Sequence, residues 1–465
     1  MSTQCTAEQF RFHPFGRRDV VARFDAGHLS SDGGALLLRE ADRRLDLTRR
    51  MAECFADSRQ PGKVEHAVRE LVAQRVYGLA LGYEDLNDHD RLRGDPLLAL
   101  AAGKADSTGM GRARDRGHAL AGSSTLNRLE LGDPEADGKR RRYSKIVADE
   151  DALDRLAVEL FLESRGQPPE TLWLDLDATD DPLHGAQEGR FFHGYYRHYC
   201  YLPLYIFSGG HLLCARLRPA NIDAAKGSVE ELRRIVGRIR QRWPGARIVV
   251  RGDSGFCRED IMDWCERNGV DYVLGLARNE RLVRRIDKAL RKSRRRHAAT
   301  GKASRRFREF RYRTRKSWSR TRRVVAKAEW LSKGANPRFV VTSLSREAAG
   351  AQHLYEKRYC ARGDMENRIK ECQLEMFADR TSAATLRANQ LRLHFAYVLL
   401  HGLRRLALAG TRWANAQCGT IRVRWLKVAA RVRITARKVW VSFSSAYPYR
   451  EEFAAIAHAV RAPPT

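Results

Sequence analysis

The chain has 465 residues and a formal net charge of +30, with 43% hydrophobic and 31% charged residues. Such a length suits about two to four domains and a sizeable buried core. The charge points to a polyanionic partner, nucleic acid before a membrane surface, and says nothing about fold. No uninterrupted apolar run is long enough to span a bilayer. The best, Leu391 to Leu408, is broken by Arg392, His394, His401, Arg404 and Arg405, and predicts a buried or amphipathic helix. Met1 to Phe10 lacks the apolar core of a signal peptide, so a soluble cytoplasmic protein with no membrane partner is expected. Nine Cys, from Cys5 to Cys418, include no Cys-x-x-Cys pair; buried free thiols are expected rather than disulfides or zinc.

Residues 1–165 read as mainly helical. Apolar spacing predicts helices over Ala35 to Leu47, after the Ser30-Ser-Asp-Gly-Gly turn, and over about Val64 to Leu81. Residues 103–122 are rich in Gly, Arg and Ala and predict an exposed basic loop. The cluster Lys139-Arg-Arg-Arg precedes a predicted helix at 143–164. From 171 the pattern becomes strand-like, at 171–178, 199–208, 211–218, 247–252 and 271–277. Helices at about 228–242 and 258–268 separate the later strands. The first three strands suit an antiparallel meander and the later ones parallel additions.

Residues 288–327 carry many Lys and Arg against a single acid, Glu309. Phe310, Tyr312 and Thr314 alternate there with Arg311, Arg313 and Arg315, which predicts a β-ribbon with a basic face binding phosphates without sequence preference. A strand at 338–344, a helix carrying Glu366, a long helical stretch at 382–409 and an alternating 419–443 hairpin complete the chain. No internal repeats are visible.

Three acids stand where metal-dependent phosphoryl transfer would need them. Asp177 ends the run Thr171-Leu-Trp-Leu-Asp-Leu-Asp-Ala, Asp253 follows Ile248-Val-Val-Arg-Gly, and Glu366 lies on a helix. Two strand-end carboxylates and one helix carboxylate can converge on a pair of Mg²⁺ ions, which activate a nucleophile and stabilise the leaving oxygen. Asp175 shares a strand face with Asp177 and is the alternative first carboxylate; Asp180 and Asp181 follow in the turn. Singly, each acid has a plainer reading: a strand end, a helix cap at Asp253, or an i,i+4 pair of Arg362 with Glu366. Gly252-Asp-Ser-Gly lacks the His and Asp partners of a serine protease. His184, His193 and His198 match no zinc spacing. Tyr359, Arg362, Glu366, Lys370 and Gln373 recur at helical intervals on one face. Arg362 and Lys370 suit phosphate, and Tyr359 a phosphate or a base.

Together these segments resemble the DDE transposases of bacterial insertion sequences. Tyr359, Arg362 and Glu366 fit the spacing of a Tyr-Arg-Glu-Lys signature; its final position is Gln373, with Lys370 one turn nearer. The wider text is similar to the insertion-sequence family numbered thirteen-eighty. The shared stretches are Asp177-Ala-Thr-Asp-Asp-Pro-Leu-His-Gly, Tyr201-Leu-Pro-Leu, Asp253-Ser-Gly-Phe-Cys, Tyr359-x-x-Arg-Gly-x-Met-Glu-Asn-Arg-Ile-Lys-Glu and Phe377-Ala-Asp-Arg-Thr-Ser. The resemblance implies an α/β fold: an RNase H-like core, a mixed sheet flanked by helices, with a β-rich insertion and a helical N-terminal region. The corresponding divisions are an end-binding region at 1–165, the core at 166–279, the basic insertion at 280–345, the rest of the core with Glu366 at 346–410, and a C-terminal region at 411–465 for dimer or DNA contact.

The implied activity is excision of an element and joining of its 3′ ends to target DNA. Asp177, Asp253 and Glu366 would hold two Mg²⁺ ions, or Mn²⁺ in their place. The implied partners are the element's terminal inverted repeats and target DNA, bound by a homodimer at a bacterial nucleoid. An aromatic in such an insertion can receive a flipped base; Trp318, between Lys316 and Arg320, suits this better than Trp330. Two other readings are a structure-selective nuclease on the same core and a catalytically inactive, domesticated DNA-binding protein.

Overall fold

The computed structural model describes residues 9–393 and 396–462. Cys5, the rest of the 1–8 segment considered for a signal peptide, and His394 lie outside the described residues. Two compact units are present: Met1–Ala148 with Phe395–Thr465, and Asp149–His394.

The first unit is built around the helix Val68–Leu81, whose residues from Leu71 to Leu81 are all buried. A helix apolar on every side belongs in a core. Its polar members are satisfied there. Arg75 pairs with Glu130 at 2.7 Å, and Gln74 bonds both ways with the Ala121 backbone. That last contact buries Ala119, Leu120 and Ala121, so the end of the expected exposed 103–122 loop is core. The helix expected over 143–164 begins only at Glu150. Ile146–Ala148 pairs as a strand with Phe55–Asp57, and Asp149 caps the helix by accepting from Ala152 N. A hairpin, Gln9–Phe15 with Arg18–Arg23, departs from the helical expectation for this region. The expected 419–443 hairpin is shorter, Ala430–Ile434 with Val439–Phe443, because Cys418–Leu426 is helical.

The second unit is organised by one sheet. Its strands are β1 (Leu172–Ala178), β2 (Leu204–Ser208), β3 (His211–Arg216), β4 (Ile248–Gly252), β5 (Asp271–Leu276), β6 (Ser304–Tyr312), β7 (Arg322–Leu331) and β8 (Arg338–Thr342). They lie in the order β3-β2-β1-β4-β5-β8-β7-β6, with the short strand Gly334–Ala335 paired to β7. β1, β4 and β5 are parallel; every other neighbouring pair is antiparallel.

Two expectations change. The strand expected at 199–208 is two: His198–Tyr201 leaves the sheet, and Pro203, which has no N–H to donate, lies before β2. The Arg-rich 288–327 region is not a free ribbon. Asp287–Thr300 is a helix that buries Ala289, Leu290 and Ser293, following Leu282 and Ile286 at helical intervals. β6 and β7 then extend the main sheet through β8.

The sheet separates two apolar layers. Leu172, Leu174, Leu176, Ile248 and Val250 face the helices Glu150–Glu163, Ser228–Arg242, Glu259–Arg267 and Asp287–Thr300. Val249, Val273, Val325 and Val340 face Leu354, Tyr355 and Tyr359 on the other side. Residues alternate in direction along a strand. Trp173, Asp175 and Asp177 of β1, and Arg251 of β4, therefore point away from the first layer, toward the segment that leads into Glu366.

Candidate active site

Register sets the acids side by side. β1 and β4 are parallel, with Asp175 opposite Arg251 and Leu176 opposite Gly252. The next residues along, Asp177 and Asp253, emerge together at the carboxyl ends of adjacent strands. Asp253 begins a tight turn, Ser254–Phe256, and its Oδ1 accepts from Gly255 N at 2.7 Å. The capping role therefore occupies one oxygen only. Glu366 comes from the helix Gly363–Lys370, preceded by the wider π-helical stretch Leu354–Tyr359 and a turn at Cys360–Arg362.

Arg362 joins the two sources. Its Nη1 lies 3.2 Å from Asp177 Oδ2, and its Nη2 lies 2.8 Å from Glu366 Oε1. Burial pushes the Asp177 carboxyl up to about 6; Arg362 opposes this, while the charges of Asp253 and Glu366 add to it. The same three acids raise Arg362, with Tyr359, against the cost of its own burial. Asp177, Asp253 and Arg362 are thus half-buried with Glu366 exposed beside them, and negative charge is in excess over the one guanidinium.

Asp175 is differently employed. It is buried and held through both oxygens by Arg251, Oδ2 to Nη2 at 2.7 Å and Oδ1 to Nε. Arg251 lies 5.0 Å from the Trp173 ring centre, and Arg358 lies 5.6 Å from it. This is a buried ion pair under the site, and Asp177 is the carboxylate that shares a cation with Glu366.

The residues expected to share one helix face lie on a helical run of changing pitch, π-helical to Tyr359, a tight turn at Cys360–Arg362, α-helical over Gly363–Lys370 and π-helical again over Glu371–Glu375. Tyr359 is half-buried, Lys370 is exposed, and Gln373 donates to the Asp180 backbone oxygen at 3.0 Å and to Asp181 Oδ1. Gln373 therefore ties the end of the Glu366 helical run to the turn after Asp177. Asp181 is fully enclosed and burial raises its carboxyl well above the ordinary value. Spacing alone could not have found Gly275 of β5. A Cβ there would lie 2.6 Å from Tyr359 Oη and 2.9 Å from Ser254 N, so only glycine lets the tyrosine and the Asp253 turn close over β5.

The other predicted DNA contacts divide. Trp318 is 4% exposed and packs in the core, edge-on to Tyr312 with Arg322 over its ring. It presents no open face to a base. Arg311, Arg313 and Arg315 are exposed; Arg311 and Arg313 donate to the backbone oxygens of Thr321 and Trp318. β6 ends at Tyr312, so Arg313 and Arg315 lie beyond it. His198 Nε2 lies 2.7 Å from Asp180 Oδ2, and His184 is exposed. Most of the described cysteines are buried, and among the described residues no helix is long and apolar enough to cross a membrane.

No curated protein matches the chain. Among solved structures, the cryo-EM structure of a piggyBac transposase synaptic complex with hairpin DNA matches over 85% of this chain and 80% of that one, at 10% identity and a TM-score of 0.40. A model of the family described as transposase DDE domain, group 1, matches residues 12–465. That match runs through both strand-end aspartates and the Glu366 helix, and the chain belongs to the transposase DDE domain group 1 family.

Proposed function

We propose that this transposase acts for a bacterial insertion sequence, cutting DNA at the element's ends and joining the 3′ ends to target DNA. Asp177, Asp253 and Glu366 are the proposed catalytic carboxylates, on an RNase H-like core. The observation that carries this reading is that Asp177 and Glu366 share Arg362 while Asp253 ends the strand beside Asp177, in a chain of this family. The core assignment is supported by the strand order, three antiparallel strands followed by two parallel ones, with the acids on adjacent strands.

The donor set fits divalent cations. All three groups are hard carboxylates, the class Mg²⁺ and Mn²⁺ prefer. Burial first, and the charges of Asp253 and Glu366 after it, raise the Asp177 carboxyl against the opposing effect of Arg362, so a bound cation would relieve a cost that the arginine alone does not. A pair of such ions, when bound, would activate the attacking hydroxyl and stabilise the leaving oxygen. The chain's own groups do the rest. Arg362 fixes Glu366 against Asp177. The Asp175–Arg251 pair holds β1 and β4 in register beneath them. Tyr359, Lys370 and the exposed Arg311, Arg313 and Arg315 are proposed to position phosphates. The basic charge favours double-stranded DNA as the partner; a homodimer acting on paired ends in the bacterial cytoplasm completes the reading.

The test uses a duplex carrying the gene's own flanking DNA, incubated with purified protein in Mg²⁺ beside Asp253→Asn. Cutting at one boundary and joining of the freed 3′ end to a second duplex are expected. Both should vanish in the variant while end binding persists. Cutting without joining would replace the reading with a nuclease. Binding with no cut in Mg²⁺ or Mn²⁺, with paired ends supplied, would replace it with an inactive DNA-binding protein.

A further inference from the structure

Between Asp177 and β2 the chain makes an excursion outside the main sheet. Phe191–His193 pairs with His198–Tyr201, which pairs in turn with Asp181–Pro182. The composition is unusual for a surface hairpin. From Gly189 to Tyr201 there is no acid; there are Arg190, Arg197, His193, His198 and six aromatic rings. Tyr195 is 84% exposed and Phe192 56%. Arg197 at the turn is exposed with a positive φ of 62°.

The hairpin is physically continuous with the acidic cluster. His198 is held against Asp180, three residues beyond Asp177. The Tyr196 ring centre lies 6.1 Å from His198, 4.8 Å from His193 and 5.0 Å from Tyr195. The Tyr196 hydroxyl is raised by burial and by the charges of Asp180 and Asp177. A second group, Phe192 edge-on to Tyr199 at 5.6 Å, is backed by Arg190 at 3.8 Å over the Tyr199 ring. Rings on this hairpin are thus fixed by neighbours on one side and open on the other.

We propose that the Arg190–Tyr201 hairpin is a stacking platform for an unpaired nucleobase beside the acidic cluster, with Tyr195 and Phe192 as the contacting rings. This deepens the transposase reading and rests on it for DNA as the ligand. A protein partner could also use exposed rings. The absence of acids, the two arginines and the adjoining carboxylate cluster favour a base attached to a phosphate chain. Stacking suits this position because every base has a π-face, so contact needs no particular sequence.

The experiment uses the full chain in EDTA with a short duplex bearing a single-stranded extension, 2-aminopurine at the first unpaired position, beside a blunt duplex. Wild-type protein should quench the fluorophore and bind the extended duplex more tightly than the blunt one. Tyr195→Ala should weaken the extended duplex about 5- to 100-fold and change the blunt duplex little. Tyr195→Trp should retain the preference, and Phe192→Ala should lose part of it. Equal loss on both duplexes, or none, overturns the proposal. So does loss of self-association by Tyr195→Ala with DNA binding intact, which would assign the rings to a protein contact. Because EDTA removes the chemistry, stacking without any later cleavage in Mg²⁺ would sink only the transposase reading. Cleavage with a neutral Tyr195→Ala would sink only the platform.

Discussion

Replacing Asp177 by Asn should make the metal-free protein more stable at neutral pH. The folded carboxyl titrates at about 6, against an ordinary value of 3.8. The folded state therefore holds this proton more tightly than the unfolded chain does. Below about pH 4 the group is protonated in both states and costs nothing. As pH rises through about 6 the folded protein must carry a buried charge, and stability is lost. A gap of about two pKa units corresponds to about 3 kcal/mol at most. The side chain keeps some solvent access, so about 1–3 kcal/mol is the expected gain. Asn retains an oxygen for Arg362, and Arg362 retains Glu366, so the substitution removes charge with little loss of bonding. The assay is urea unfolding of both proteins in EDTA from pH 4 to pH 8. The two stability curves should meet below about pH 4, diverge between about pH 4 and pH 6, and stay a constant distance apart above that, with the variant higher. Adding Mg²⁺ should raise the wild type more than the variant, because binding to the folded state adds stability by mass action. An Asn protein equal to or weaker than wild type at pH 8, or a difference independent of pH, would refute the argument that burial makes the Asp177 charge costly to the folded state.

Removing one member of the buried pair beneath the site should act oppositely. Asp175→Asn leaves the Arg251 guanidinium without its counter-charge and should lower stability by about 3–5 kcal/mol in denaturant unfolding; a neutral result would show that the pair does not hold β1 against β4. Trp318→Ala should cost about 3–5 kcal/mol as a core truncation, while the more conservative Trp318→Phe should leave DNA affinity unchanged in a binding titration. Gln373→Leu should keep the fold but loosen the Glu366 helix from the Asp180–Asp181 turn. Single-turnover cleavage should then slow by about tenfold or more with DNA affinity unchanged, and an unchanged rate would remove Gln373 from the positioning groups.

Much of this site could be read in one dimension because its local order is periodic. Alternation in Leu172–Ala178 and Ile248–Gly252 fixes which residues share a face, and helical spacing brings Arg362 to Glu366. Contacts across long sequence separations could not be read. Nothing near Arg362 announces that it meets Asp177, and nothing near Gln373 announces the Asp180 carbonyl. Gly275 is just a glycine in a strand until the Tyr359 hydroxyl is seen above it. Trp318 was misleading for the opposite reason. Its neighbours Lys316 and Arg320 imply exposure, yet the indole turns inward onto Tyr312. The Asp287–Thr300 helix was hidden by charge: abundant arginine masks the few apolar positions, Ala289 and Leu290, that fix it to the sheet.

The unbroken ladder from β1 to β6 has a metric consequence. Five strand-to-strand steps separate Asp177's strand from the edge strand with Arg305, Arg308 and Arg311. At about 4.8 Å per step that is about 24 Å, close to the rise of seven base pairs of duplex. Backbone hydrogen bonds, repeated at every step, set this interval. The sheet therefore works as a spacer, holding the Asp177 carboxylate and the arginines of that edge strand at a fixed interval.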